Sequence, residues 1–339
     1  MTTKKDLAKK CIWIISILVF LLLLLFFVSL NMGLVKIAPN AVLQTLIGNG
    51  TERDKLVLLE FRLPRMVLAV MIGAGLAFSG SILQAVSKNE LADPGIIGIN
   101  AGAGFAVVLF LFIIQGSMSA LAAINLWLLP LFSFLGAVLA AALIYMLAWK
   151  KGINPIRLVL VGIGINSGFA AAITIMQLKM NPQDFMKAAV WISGDIWGAS
   201  WNFVLVILPW MLLLCIYALY KSHTLNQLSL GDQVAIGLGV HVERERLKVL
   251  FTAVALAGLC VSAGGGISFL GLVAPHIARK IMGPKHQYVL PVSALIGSFL
   301  LLLADTIGQN ILAPTQISVG IVVAIISAPY FIYLLMKTN

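Results

Sequence analysis

Charge is what this sequence has least of. Only 10% of its 339 residues are Asp, Glu, Lys or Arg, whereas a soluble domain carries roughly a quarter. A soluble chain of this length needs a charged skin, and a composition that is 61% hydrophobic with a mean hydropathy of +1.04 excludes one. Cysteine is also scarce. Cys11, Cys215 and Cys260 each lie inside an apolar run without C-x-x-C spacing, so they read as packing residues and neither a disulfide framework nor a zinc site is on offer. Missing too are G-x-x-x-x-G-K-S/T, H-E-x-x-H, paired carboxylates and any Asp-rich phosphate motif. The chain therefore holds no cofactor and no ATP-cleaving machinery of its own, and it is not read as an enzyme, because a membrane-embedded one would need several convergent ionisable groups.

What is present is a succession of apolar runs. At about 20 residues per helical crossing, the length admits ten to twelve spans and leaves no room for a separate soluble domain. Residues 1–339 are thus expected to form a single all-α integral membrane domain. The first span follows MTTKKDLAKK; its apolar run is too long for a signal peptide and lacks a small-x-small cleavage site. A second is expected to start at Arg62 and Arg65 in FRLPR, since residues 66–87 are uncharged. Residues 94–149 carry no charge and are divided by the polar QGSMSA, which predicts two more. A fifth follows Arg157 to about Leu178, and a sixth covers 201–220.

Residues 249–278 are uncharged but contain Gly264, Gly265 and Gly266, so they could be one long helix or two short ones. Parity decides. The loops on either side carry Lys221, Arg244, Arg246 and Lys248, then Arg279, Lys280 and Lys285. Basic loops belong on the cytoplasmic side, so an even number of crossings separates them. Two short spans meeting at a glycine turn are expected, one interrupted by Pro275, which is tolerated where the segment is covered by protein or lines a cavity. Spans over 290–312 and 319–336 complete a count of about ten, with both termini cytoplasmic. Only Lys36, Arg53, Lys55, Arg62, Arg65, Lys179 and Lys187 of the 23 basic residues then lie outside. The net charge of +11 therefore reports orientation rather than nucleic-acid binding. Within the outer loop 31–65, APNAVLQTLIG reads as a short amphipathic helix at the interface.

Glycines cluster inside the spans: Gly73, Gly75 and Gly80; Gly98 and Gly102; Gly162, Gly164 and Gly168. Small residues let helices approach closely in lipid, so packing is the plain reading and a pathway wall or subunit interface the alternative. Asn100 and Asn166 suit either a packing hydrogen bond or a solute pathway. Asp305 is the one acid read deep in a span, a functional hypothesis by default, yet no basic partner or second acid is legible at its depth. In the longest inner loop, 221–248, Leu230, Val234 and Leu238 recur at helical spacing. A stripe outside the bilayer suits a groove in another protein, or else the membrane surface. Arg62 and Arg65 either snorkel to headgroups or face a partner.

Six stretches spread along the chain carry a resemblance: RLPR (62–65), SGSILQAVSKNELADPGIIGINAGAG (79–104), LSLGDQVAIGLG (228–239), GGGISFLGLVAPHIAR (264–279), LLLAD (301–305) and SVGIVVAIISAPYFIYLL (318–335). In this order they resemble the permease subunits of ABC importers for iron(III)-siderophores, haem and cobalamin. The resemblance implies a type II importer architecture with ten helices per subunit in a bacterial cytoplasmic membrane. It implies as partners a second permease subunit, identical or homologous, two cytoplasmic ATPase subunits that hold ATP and magnesium, and an external solute-binding protein. It also implies roles. Leu230, Gly231, Asp232, Val234, Ala235, Leu238 and Gly239 would couple to the ATPase; Arg62, Arg65 and Gln309 would face the binding protein; Asn154, Pro155 and Ile156 would lie at the cytoplasmic gate. Asn89, Pro94, Gly98, Asn100, Gly102, Asn166, Pro275, His276 and Asp305 would line the pathway or pack it. Three places depart from the pattern: Glu90 follows Asn89 where a proline is usual, Gln309 stands where many members carry an arginine, and Gln316-Ile317-Ser318 replaces a common Glu-Leu-Pro. The reading is an iron-siderophore import permease, with the same ABC architecture carrying haem or cobalamin as one alternative and an ion-gradient-driven carrier as the alternative from another class.

The parity argument is testable. In a background without the three native cysteines, single cysteines at positions 223 and 285 are expected to react with an impermeant thiol reagent only after permeabilisation, and one at position 53 in intact cells. Labelling of 285 from outside with 223 shielded would remove the two-span reading of 249–278.

Overall fold

The computed structural model describes residues 4–33, 37–114, 125–150, 155–196 and 198–337. It is helical, without a strand among them. In chain order the helices are α1 (Lys4–Asn31), α2 (Pro39–Leu46), α3 (Glu52–Lys55) and, after a π-helical stretch Leu56–Arg62, α4 (Leu63–Ser87). There follow α5 (Ile99–Ile114), α6 (Asn125–Ala148), α7 (Pro155–Gln177), α8 (Pro182–Ile192), α9 (Trp201–Tyr220), α10 (Ser222–Ser229) and α11 (Asp232–Gly237). The last four are α12 (Val242–Gly264), α13 (Leu270–Met282), α14 (His286–Asn310) and α15 (Val319–Lys337).

Seven described helices are long and apolar enough to cross a membrane, α5 and α15 add shorter apolar helices, and α13 has thirteen residues. At 1.5 Å per residue α13 is about 20 Å long, less than the roughly 30 Å hydrocarbon core. A count of about ten therefore depends on the three short helices. The glycine turn stands where the sequence put it: α12 ends at Gly264 and α13 begins at Leu270. Only the second helix of that pair is short, because α12 extends back into the charged segment to Val242. The second span also differs from expectation. Helix is continuous from Glu52 to Ser87, so the arginines lie inside it rather than at its start; Thr51 caps its first turn through Asp54 N–H (3.2 Å). The divider QGSMSA lies outside the described residues, whereas the interfacial helix of the outer loop is present as α2.

α4 is the axis of the bundle. It runs buried along most of its length against α12, α13 and α14, while α1 and α7 keep apolar side chains such as Trp13, Phe20 and Leu160 exposed. A helix apolar all round with so little buried surface has lipid as its solvent. Glycine makes the central contacts close. A Cβ on Gly73 would overlap the Gly297 carbonyl of α14, and one on Gly80 the Gly271 carbonyl of α13. Ser79 and Ser298 add hydrogen bonds to the carbonyls of Ala253 (2.7 Å) and Val70 (2.8 Å) across these seams. Gly102 serves α5 in the same way against Gly136 and Ala140 of α6. Gly98 does not form a helical GxxxG with it: φ is +99° and it precedes the helix, beside Gly162 and Asn166 of α7.

Gly164 and Gly168, by contrast, have nothing within 4 Å of an added Cβ. Gly80→Ala is expected to lower the melting temperature in detergent by the equivalent of roughly 1–3 kcal/mol of overpacking. Gly164→Ala should leave it unchanged or raise it slightly, since alanine is the better helix former. Equal melting temperatures for the two variants would show that α4 and α13 are not in backbone contact.

Candidate functional site

Polar side chains gather at the two ends of α4. At 25 residues this helix is about 37 Å long by its rise, so the clusters sit a membrane thickness apart.

At the first end Arg65 donates from Nε and Nη2 to Asp305 Oδ1 (3.0 and 2.9 Å) and from Nη2 to Asp195 Oδ1 (3.3 Å). Gln309 Nε2, one turn along α14, donates to Asp305 Oδ2 (2.6 Å). Asp305 is fully buried. It thus has both a basic partner and a neighbouring acid, which corrects the reading of an isolated intramembrane carboxylate. The partners are 240 and 110 positions away in the chain, so no spacing could have shown them. Arg62 takes another direction: its Nη1 donates to the Leu30 carbonyl at the end of α1 (2.6 Å). The two arginines therefore take different partners, Arg62 at the end of the π-helical stretch bonding to α1 and Arg65 to α14. A cavity of about 380 Å³ opens beside them, lined by Ser29, Phe61, Arg62, Arg65, Gln309 and Gln316 among others. All three docking candidates meet at that cavity.

At the second end, α4 stops on Lys88 in the left-handed conformation (φ +51°), and the loop to α5 folds under α13. Asn89 accepts from Leu91 N–H (2.9 Å) and Asp93 from Gly95 N–H (2.8 Å). Asp93 also receives the N–H groups of Ile96, Phe269 and Gly271, so Pro94 and its neighbours are sewn to the first turn of α13. Burial pushes this carboxyl up to about 6 against those donors. Sequence reading passed over Asp93; the one signal was an acid beside a Pro-Gly turn. Pro275 deprives the Gly271 carbonyl of its helical donor, and Gln84 Nε2 supplies one (3.3 Å). Asn100 Nδ2 donates to the Ile267 carbonyl in the α12–α13 break (2.9 Å), whereas Asn166 stands on the other side of this region beside Gly98. His276 shares a hydrogen bond with the Tyr330 hydroxyl (2.7 Å), and Glu90 lies 3.7 Å from its Nε2.

Outside the bundle at this end, Leu230, Val234 and Leu238 are all exposed, as is Ile236, which periodicity missed. They do not lie on one helix. Gly231 (φ +108°) divides α10 from α11, and α11 ends before Leu238 and Gly239 (φ +82°). A glycine in the left-handed region breaks the i, i+4 ladder, so the apolar patch is built by two short helices with Ala235 buried beneath it. Buried Leu225, Leu228 and Ala235 tie these helices to the bundle, and polar bonds add to them. Asp232 Oδ1 accepts from Lys88 Nζ (2.9 Å) and Arg246 Nη2 (2.7 Å). Asn226 Oδ1 accepts the backbone N–H of His286 (2.8 Å) and meets its Nδ1 (2.9 Å). Partial burial pushes the Asp232 carboxyl up, but the hydrogen bonds from Arg246 and Lys88 outweigh it and hold the group below the usual carboxylate range. A depressed carboxylate contributes stability above its unfolded pKa and loses it only in acid, so these ties persist at neutral pH. Of the gate candidates, Asn154 lies outside the described residues, Pro155 opens α7, and Ile156 is exposed.

The FecCD transport family matches residues 21–337. The chain belongs to that family. It is 57% identical over 335 residues to the iron(3+)-hydroxamate import system permease protein FhuG of Bacillus subtilis (strain 168), covering 99% of this chain and all of the relative. To the Fe(3+)-citrate import system permease protein YfmE of the same organism it is 42% identical, over 98% of this chain and 97% of the other. Among solved structures, a chain described as an inward-facing conformation of a metal-chelate type ABC transporter matches with TM-score 0.81 and 29% identity, over 96% of this chain and 99% of that one. This FecCD chain is therefore a multi-pass transport permease with the ABC importer permease fold, and not an enzyme. Its fold and family stand as the resemblance implied.

The buried ion pair yields a prediction. Arg65→Met would leave Asp305 buried without its cation and should cost roughly 3–5 kcal/mol, whereas Arg65→Met with Asp305→Leu should recover most of it. Melting temperatures of the two singles and the double in detergent measure the coupling. Additive losses would mean that the pair does not hold α4 to α14.

Proposed function

We infer that this chain is the membrane permease of an ATP-driven importer that carries a ferric hydroxamate across the cytoplasmic membrane of a bacterium. The observation that carries the substrate is 57% identity along the whole of both chains to a hydroxamate permease, against 42% to a citrate one. Two permease subunits would enclose the pathway, two ATPases would bind ATP and magnesium, and a binding protein would deliver the chelate. The apolar patch of Leu230, Val234, Ile236 and Leu238 supports an ATPase dock, since exposed apolar groups on polar-anchored short helices suit a partner's groove. At the other end, Arg62 and Gln309 beside the cavity support the docking of the binding protein, while Arg65 positions α4 against α14. Asn89, Pro94, Asn100, Asn166 and His276 border the pathway at its inner end, near the gate assigned to Asn154, Pro155 and Ile156. A gradient-driven carrier would need Asp305 to take up and release a proton, and the Arg65 ion pair argues against that use.

Uptake of radioiron as a ferric hydroxamate is expected to be lost in a deletion strain and restored by this chain, with ferric citrate uptake unaffected; the reverse pattern would refute the substrate. Leu238→Asp should detach or uncouple the ATPase by placing a carboxylate in an apolar groove. Normal co-purification with normal stimulated hydrolysis would remove the docking assignment.

A further inference from the structure

The short helix that carries the exposed patch is joined to the rest of the chain by two glycines. Gly231 and Gly239 both have positive φ, +108° and +82°, and no atom within 4 Å of a hypothetical Cβ. Glycine gives a chain junction the widest conformational freedom, so the covalent links at either side of α11 are compliant. Any displacement applied to Val234, Ile236 or Leu238 must reach the bundle by a stiffer route. Ala235 packs α11 on the core, and one residue adds charged ties to two of the long helices. Asp232, the first residue of α11, holds with a single oxygen both Lys88, which ends α4, and Arg246, near the start of α12. The Arg246 side chain is 2% exposed and is also paired to Glu243 at 3.3 Å. A buried guanidinium cannot give up its carboxylates without a large desolvation cost, which makes the Asp232 tie the firm one. Lys88 precedes Asn89 and the loop that Asp93 sews to α13, so the same tie reaches the inner end of the pathway.

We propose that Asp232 is a positioning residue for coupling: its simultaneous bonds to Lys88 and Arg246 transmit movement of the ATPase-docking helix to α4 and α12. This rests on the reading of α11 as the ATPase dock. Asp232 is bonded to Lys88 and Arg246 on the bundle side, so it acts through α4 and α12 rather than by touching the ATPase.

The test uses the whole importer, this chain with its ATPase, partner permease and binding protein, in proteoliposomes. Asp232→Asn keeps the shape and removes the charge. The melting temperature is expected to fall modestly, because Arg246 loses one of its carboxylates, and ATPase co-purification to stay at the unaltered level, while binding-protein-stimulated hydrolysis and ferric hydroxamate uptake fall at least tenfold. Asp232→Glu should restore both to within about threefold. Lys88→Gln, which strips only the half-exposed partner, should lower uptake severalfold and carries the test if Asp232→Asn does not insert. Adding it to Asp232→Asn should bring no further loss. Stimulation and uptake within twofold of unaltered in Asp232→Asn would overturn the proposal. So would loss of the ATPase from that variant, because Asp232 would then belong to the docking face. Leu238→Asp separates the two readings. If it keeps its ATPase, the dock is wrong; if it sheds the ATPase while Asp232→Asn couples normally, the dock stands and the tie falls.

Discussion

A backbone carbonyl in hydrocarbon has no water to accept from, and three interruptions of helix among the described residues are shaped by that fact. Where the π-helical stretch disturbs the ladder before α4, Trp201 Nε1 donates to the Leu59 carbonyl (2.6 Å). Where Pro275 removes a donor inside α13, Gln84 of α4 provides another. Where the chain leaves helix between α12 and α13, Asp93 and Asn100 take up the freed N–H and C=O groups, and Trp191 accepts from Gly266 (3.3 Å). At these three places other helices cover the irregular backbone, and the groups that satisfy it come mostly from the polar residues the apolar composition leaves over.

The same economy explains the glycines. Without a hydrophobic force between helices in lipid, association depends on close packing and short hydrogen bonds. α4 achieves both by presenting Gly73 and Gly80 to the carbonyls of α14 and α13, with Ser79 and Ser298 bonding across the seams. The peripheral helices α1 and α7 make fewer such contacts, through Ser29 to Thr306 and Gly162 beside Ile97, and leave many apolar residues exposed. The centre of the bundle is therefore stiff, and its two ends carry the charged groups: Arg65 with Asp305 and Asp195 at one, Asp232 with Lys88 and Arg246 at the other.

Composition and charge settled the class by themselves, because neither an unbroken apolar run nor a bias of Lys and Arg has another use in a chain of this kind. The helices over 201–220 and 319–337, the interfacial α2 and the turn at Gly264 to Gly266 were legible from run length and glycine. What local pattern could not supply was any relation across distance. The Arg65–Asp305 pair joins residues that no window contains together, so Asp305 read as isolated. Leu230, Val234 and Leu238 have helical spacing, yet positive φ at Gly231 breaks their helix, since spacing reports which residues could share a face and not whether the backbone turns between them. Arg62 and Arg65 likewise find their partners far off in the chain, at Leu30 and at Asp305. The sequence alone decided that this chain lives in a membrane and which family its motifs follow. Tertiary structure alone decided which charges are neutralised and which surfaces remain exposed, because burial and pairing are properties of neighbours in space.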